Sequence, residues 1–401
     1  MRSTIRHLLA ASVAVTGLLA VSTGLQAQEA KVGIILGFTG PLESITPGMA
    51  ASAELAFKEV SDSGLLLDGT KLTPVRADST CVDSAAAQAA AERLVSAEKV
   101  AAIMGADCSG VTIAVANNVA VPNGVVIISP SATSPALTDI KDNDYFFRTA
   151  PSDARQGQIL SDILIGKDVK SVAVTYTNND YGKGFSDAFT AAYTAGGGKV
   201  TINAPHEDGK GDYSAEVGAL ASAGGDLLVV LGYVDQGGVG IIRAAVESGA
   251  FDRFALGDGM YGQSLIDAIG DDLNGTIGVI PGAEGEGMEA FKKIATAAGL
   301  DPSSSYTGES YDAAALIALA MQKAGSTDRT AIRDAVLDIA NEPGEKILAG
   351  DLAKGLQILK DGGDIDYVGA TNVELIGPGE ASGTYREYEV KDGKYETIKF
   401  H

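Results

Sequence analysis

The sequence predicts an α/β protein of two lobes, each a doubly wound parallel sheet with helices on both faces. Three observations predict it. Short apolar, strand-like runs alternate with helical stretches through the first 150 residues, and the alternation then starts again; repeated β/α steps give parallel sheets covered by helices. The 401-residue length favours two domains over one. One apolar run also leads directly into a stiff loop dense in hydroxyls and small side chains, where ligands of open α/β sheets sit, beyond the carboxyl ends of strands.

In the first half the expected strands are 31–37, 72–77, 100–104 and 125–128. The helices between them are 47–62, with Pro47 in a first turn where proline is tolerated, an Ala-rich 84–96, and one running to residue 120. The second half begins with a helix over 153–164. It continues with strands 171–177, 199–203, 227–231 and 253–256, separated by helices 182–194, 214–223 and 237–248. A strand near 276–280, helices near 288–298, 310–323 and 329–339, and strand-like or hairpin-like runs at 371–376, 384–390 and 395–400 complete the chain. Two similar sheets leave a cleft between them.

The amino terminus reads as a signal peptide. Arg2, Arg6 and His7 precede an apolar run of 13 residues, 8–20, and Leu25-Gln26-Ala27 is a cleavage site, so residues 1–27 are expected to be removed on export to the periplasm. The run is shorter than the ~20 residues that span a bilayer, and no Cys follows the cut to carry a lipid. Losing Arg2 and Arg6 takes the formal charge from −22 to −24, with a sequence pI of about 4.5. Nucleic acid and anionic membrane surfaces require basic patches, so neither is an expected partner. In an oxidising compartment the only two cysteines, Cys81 and Cys108, are expected to form one disulfide. Without neighbouring His they supply too few ligands for a metal.

The loop at 128–138 reads Ile-Ser-Pro-Ser-Ala-Thr-Ser-Pro-Ala-Leu-Thr. Pro130 and Pro135 stiffen it, while Ser131, Ala132 and Thr133 keep backbone N–H groups and little bulk. A small polar ligand could rest on that backbone; a rigid turn capping a strand would read the same. Enzyme signatures are scarce, with no nucleophile elbow, phosphate-binding loop or zinc-protease pair. His206 is the only internal imidazole away from the terminus, and its polar surroundings, 205–210, read as a solvated loop. Gly257-Asp258-Gly259-Met260-Tyr261-Gly262 matches the dinucleotide fingerprint nominally, which would make the protein an NAD-linked oxidoreductase. Asp258 inside that turn would repel a pyrophosphate, yet it is well placed to receive an ammonium, or to be an ordinary turn residue. Tyr181 and Tyr233 each follow an expected strand and offer a flat face and one hydroxyl.

Together these residues resemble the periplasmic leucine/isoleucine/valine-binding family of transporter receptors. The likeness runs from Lys31 to about Lys394. It is carried by the Ser-Pro-x-Ala-Thr-x-Pro-x-Leu-Thr loop, Gly40-Pro41, the cysteine pair and the Asn-Asp-Tyr-Gly stretch at 179–182. It implies a type I periplasmic-binding fold with three crossovers, near 148–150, 278–280 and 384–388. Lobe one would be 30–148 with 281–383, and lobe two 149–280 with 384–401. It implies an amino-acid carboxylate held by the hydroxyl and N–H of Ser109 and the N–H of Thr133. The ammonium would meet the Ser131 carbonyl, the Thr133 hydroxyl and the Asp258 carboxylate, with Tyr181 and Tyr233 closing from lobe two. Ile45 stands where the family often has an aromatic residue, and Asp258 is one methylene shorter than the usual Glu. The ligand class therefore extends to other amino acids and related amides or carboxylates. The expected partner is an inner-membrane ABC permease, and the alternative role is a periplasmic sensor. The protein is expected to act as a monomer without cofactor.

Overall fold

The structure, a computed structural model, describes residues 28–401; the signal-peptide reading lies outside the described residues. Five strands open the chain: β1 Glu29–Leu36, β2 Lys71–Asp78, β3 Ala102–Gly105, β4 Val126–Ser129 and β5 Phe146–Arg148. Five more follow: β6 Ser171–Thr177, β7 Lys199–His206, β8 Leu227–Leu231, β9 Phe254–Leu256 and β10 Ile277–Pro281. The last part holds β11 Glu345–Leu348, β12 Ile365–Gly369, β13 Leu375–Ile376, β14 Glu380–Ala381, β15 Tyr385–Lys391 and β16 Lys394–Phe400.

They form two seven-stranded sheets, ordered β13-β14-β5-β4-β3-β1-β2 and β16-β15-β10-β9-β8-β6-β7, and a small β11-β12 sheet. The centre of each large sheet is parallel, as the β/α alternation predicts. One edge of each sheet is antiparallel, in keeping with the hairpin-like runs at the end of the chain: β15 runs antiparallel to both β10 and β16, and β13 to β14. A tight β15–β16 hairpin needs no crossover helix, so it can be added to an edge only in antiparallel sense. β1 lies between β2 and β3, so the strand order reverses there and a crevice opens at the carboxyl ends of β1 and β3. The corresponding point in the second sheet lies between β6 and β8.

Burial explains which residues make the strands. Every residue of β4 and β8 is buried, and their Val/Ile/Leu runs are what a strand covered on both faces requires. Side-chain caps start the helices that matter for the cleft. Ser152 accepts from Ala154 N at the head of Asp153–Gly166, and Asn179 accepts from Gly182 N (3.0 Å) at the head of Asp180–Ala195. The chain passes between the sheets after β5, after β10 and before β15; the last two passages are bonded together, Gly282 N to Thr384 O at 3.1 Å and the Thr384 hydroxyl to Gly282 O at 2.6 Å.

One reading needs correction. Residues 205–210 are not wholly a solvated loop: β7 extends to His206, which is buried with Nδ1 2.8 Å from the Thr175 hydroxyl. Burial lowers its pKa to about 4. The helix Leu352–Lys360 and the β11-β12 pair were not expected from the sequence, although Leu352, Leu356 and Leu359 of that helix are buried at helical spacing.

Cys81 and Cys108 are joined, closing a loop of sequence separation 27 between the ends of β2 and β3. Replacing both by Ala is expected to lower the unfolding free energy by roughly 3.5 kcal/mol, the chain-entropy value for such a loop. Urea unfolding of the two proteins measures it.

Candidate functional site

The cleft lies where the carboxyl-end loops of the two sheets meet. From the first sheet come Leu42 and Ile45, Asp107 to Ser109, and Ser131; from the second come Tyr181, Tyr233, Asp258 and Gly259; Tyr306 comes from the turn before the helix Thr307–Ala324. The lobes already touch around it. Ser44 N donates to Asp235 (2.8 Å), Asp235 N to Pro41 O (3.1 Å), and the Ser134 hydroxyl to Asp180 O (2.9 Å). The cavity thus enclosed measures about 10 Å³, room for about one water molecule. A ligand as large as an amino acid therefore enters only when the lobes part.

One fully buried side chain sets the shape of the loop at 128–138. Arg148, with no exposure, donates Nη1 to the carbonyls of Ala132 (3.1 Å) and Ser134 (2.9 Å) and Nη2 to the Thr138 hydroxyl (3.2 Å), and pairs with Glu380. Those carbonyls turn inward to the guanidinium, which leaves N–H groups on the other side. Thr133 N makes no hydrogen bond among the described residues. Ser109 Oγ accepts from Ser134 N (3.1 Å), the Ser131 hydroxyl donates to Asp107 O (3.1 Å), and Ala132 N donates to Ser129 Oγ (3.0 Å). Asp107 itself accepts from Gly37 N and the Ser79 hydroxyl, both at 2.8 Å, and so ties the ends of β1, β2 and β3 together. It lies beside the two cysteines, but their sulfurs are spent on the disulfide and offer no thiolate to a metal.

Across the cleft, Asp258 is buried and already well satisfied. Oδ1 accepts from the Tyr181 hydroxyl (2.9 Å) and Gln156 Nε2 (3.1 Å), and Oδ2 accepts from the Tyr306 hydroxyl. Tyr181 stacks on Tyr233 with centroids 5.1 Å apart, and its oxygen accepts from Gly259 N (3.1 Å). The glycines of the run at 257–262 serve this packing. A Cβ on Gly257 would come within 2.7 Å of Phe185, and one on Gly259 within 2.6 Å of Gly232 O. That is a packing reason for a pattern otherwise read as a pyrophosphate cradle.

Of the residues singled out in the sequence, Ile45, Ser109, Ser131, Tyr181, Tyr233 and Asp258 line the cavity, while Ala132 and Thr133 lie buried behind it. Sequence reasoning missed Asp153, Gln156, Tyr306, Asp107 and Arg148. Asp153 is the most telling. It is fully buried, neither carboxylate oxygen has a hydrogen-bond partner, and the Thr133 hydroxyl and Gln156 Oε1 nearby also lack one. Its backbone N–H donates to Thr133 O at 2.8 Å. Burial, then repulsion from Asp258, pushes its pKa well above the ordinary range, and the adjacent Thr133 hydroxyl and Arg148 pull it back only in part. Burial also raises Asp258, against the hydrogen bonds of Tyr306 and Tyr181. Two desolvated carboxylates and unpaired acceptors together demand a cationic donor or a proton. In the sequence Asp153 follows Ser152 at a helix start and looks like any first-turn acid.

A larger depression of about 840 Å³ lies along the helices Ser214–Ala223 and Gly237–Ser248. Its walls come from the second lobe alone, so closure of the lobes cannot grip a ligand there.

Comparison with known proteins accords with this arrangement. Residues 29–342 match the model of the periplasmic binding protein family. The chain belongs to that family. This periplasmic binding protein is 31% identical over 328 residues to a Leu/Ile/Val-binding protein homolog of Brucella melitensis, covering 80% of this chain and 85% of the relative. Its fold is that of the branched-chain amino acid transporter substrate binding protein LivJ from Streptococcus pneumoniae, solved in complex with isoleucine (TM-score 0.75, 24% identity, 92% of this chain and 99% of the other). It is equally that of a solute binding protein of an R. palustris ABC transporter, solved in complex with 4-hydroxybenzoate (TM-score 0.74, 18% identity, 93% and 97%). These relatives are binding proteins, not enzymes, and so is this periplasmic binding protein. Among the described residues no helix is long and apolar enough to cross a membrane.

Replacing Arg148 by Gln leaves the inward carbonyls and Glu380 without their cation. The expected cost is about 3 kcal/mol of stability, as for one partner removed from a buried ion pair. Chemical denaturation reads this, and calorimetry of the variant should show ligand affinity falling as the loop loosens.

Proposed function

We propose that the protein is the periplasmic substrate-binding component of an ABC transporter and that its cleft takes an α-amino acid. The observation that carries the reading is the charge layout. Ser109 and Asp258 face the same enclosed cavity from the two lobes, with the unbonded Thr133 N–H behind the first and Asp153, buried and short of partners, behind the second; the first pair suits a carboxylate and the second an ammonium. Asp153 joins Asp258 as a seat for the ammonium, which would remove the repulsion between them. Tyr181, Tyr233 and Tyr306 close over the ligand, and Tyr306 has to yield its bond to Asp258 when the lobes part. The ligand touches both lobes, so it favours the closed form, and an inner-membrane permease would receive that form. Residues 1–27 would direct the chain to the periplasm and be removed there. The lobes would divide at 30–148 with 281–383 and 149–280 with 384–401.

The relatives' names favour aliphatic amino acids. Ile45 and the shorter Asp258 leave room for a different side chain, and the hydroxybenzoate-binding neighbour makes a carboxylate lacking the ammonium the second reading. Thermal-shift and calorimetric titration of the refolded mature protein with amino acids, amides and aromatic carboxylates separates them. With an α-amino acid ligand, Asp258→Ala is expected to weaken binding at least about 30-fold, the order of losing a charge-assisted hydrogen bond in a buried site. Unchanged affinity would remove Asp258 from the ammonium seat.

The pH dependence follows from the same pair. Both carboxyls are raised by burial, and an ammonium favours their ionised forms. Binding then releases protons wherever the pH lies below the raised values. Affinity should therefore fall on acidification, beginning above the ~3.9 at which an unperturbed aspartate titrates. Calorimetry in buffers of different ionisation enthalpy detects the released proton; a flat profile through the acid range would count against the seat.

A further inference from the structure

A second cavity, of about 250 Å³, lies at the hinge, on the far side of Tyr306 from the cleft. Its walls come from both lobes: Ile280 to Ala283 where the chain leaves β10, residues 302–309 at the head of the helix Thr307–Ala324, Met288 and Lys292, and Arg386, Thr397 and Phe400 on β15 and β16. Three features are unexplained by the cleft. Arg386 makes no hydrogen bond or ion pair among the described residues; its Nε is buried without a partner, and the guanidinium stacks 4.9 Å from the centre of the Tyr261 ring. The helix head has Tyr306 in the left-handed region (φ 58°) and no side-chain cap; Thr307 N reaches the Ser304 carbonyl only at 3.5 Å, and the next N–H groups lack the usual side-chain acceptor. Glu309 is 5% exposed and its carboxyl bonds no other side chain. Burial lifts its pKa to about 8, while the nearby Arg386 guanidinium pulls it down, so a proton on this carboxyl is within reach near neutral pH.

Arg386 and the helix head share one deficit, an acceptor. A buried guanidinium nitrogen and uncapped helical N–H groups are costly until a negatively charged oxygen meets them. The remaining walls, Ile280, Pro281, Met288 and Phe400, are apolar, and the volume lies below the ~300 Å³ at which drug-sized pockets begin. We propose that this hinge pocket is a second ligand site, distinct from the cleft, that takes a small carboxylate with an apolar body, its carboxylate on Arg386 and the head of the helix Thr307–Ala324. The site does not depend on what the cleft binds. Because its walls belong to both lobes and to a passage between them, its ligand bears directly on the hinge.

Benzoate is a suitable probe, titrated calorimetrically into the refolded mature protein and three variants. Arg386→Gln removes the guanidinium. Thr397→Phe, at an exposed strand position, fills the pocket from its rim with little demand on folding. Ser109→Ala alters the cleft alone. The expected result is saturable benzoate binding that Arg386→Gln and Thr397→Phe each weaken at least tenfold and Ser109→Ala changes less than twofold, with α-amino acid binding retained in both hinge variants. If Arg386→Gln does not fold, Thr397→Phe alone decides. No saturable binding at millimolar benzoate, or binding that Thr397→Phe leaves intact, overturns the proposal; loss in Ser109→Ala would instead place benzoate in the cleft.

Discussion

A guanidinium buried with no exposure has to be surrounded by oxygen, and the structure around Arg148 meets that demand at both Nη atoms, Nε alone lacking a partner. The acceptors are two carbonyls and a hydroxyl of one loop and the carboxylate of Glu380 on β14. The loop at 128–138 is therefore folded around a charge at the end of β5, where the chain first passes to the second lobe. This single constraint orients the carbonyls inward, frees Thr133 N, and links the cleft to the hinge by a few covalent bonds.

The opposite wall of the cleft is governed by the complementary problem, two carboxylates without enough cation. Asp258 is quieted by Tyr181, Gln156 and Tyr306, hydroxyls and an amide that can be exchanged for a ligand's ammonium. Asp153 has only the Thr133 hydroxyl beside it, at a geometry too poor for a hydrogen bond. The second lobe thus holds an arrangement whose electrostatic cost falls when a cation arrives, and the first lobe takes part through the Tyr306 hydroxyl on Asp258, which is what makes that exchange sensitive to closure. Glycines at 257 and 259 let Tyr181 press against the Asp258 turn, so the geometry of that wall rests on packing as much as on charge.

The hinge repeats the theme with the sign reversed. There Arg386 and an uncapped helix head lack an acceptor, while burial lifts the pKa of Glu309 beside them. Tyr306 separates the two cavities and carries a positive φ at the junction. Its single hydroxyl group joins the lobe-one turn to the lobe-two carboxylate, so one side chain borders both sites.

Much of this was legible from local chemistry. Alternating apolar runs set the strands because a strand covered on both faces must be continuously apolar, and β4 and β8 are. The loop at 128–138 announced itself through Pro, Ser and Thr, and the cysteine pair through compartment and number. His206 was misjudged because its polar neighbours describe the loop that follows, whereas its burial comes from the strands and helices packed around β7. Asp153, Gln156, Tyr306 and Arg148 carried no sequence signal, since each is an ordinary residue for the helix start, helix face, turn or strand that holds it. The sequence by itself determined the two α/β lobes, the disulfide-forming pair and the hydroxyl-rich loop, because periodicity and turn chemistry act between near neighbours. Only the tertiary structure decided which charges share a buried space. Coulomb and desolvation energies depend on distance and exposure, and Asp153 and Asp258, about a hundred positions apart in the chain, become neighbours only when the helix Asp153–Gly166 packs on the second sheet beside the turn after β9.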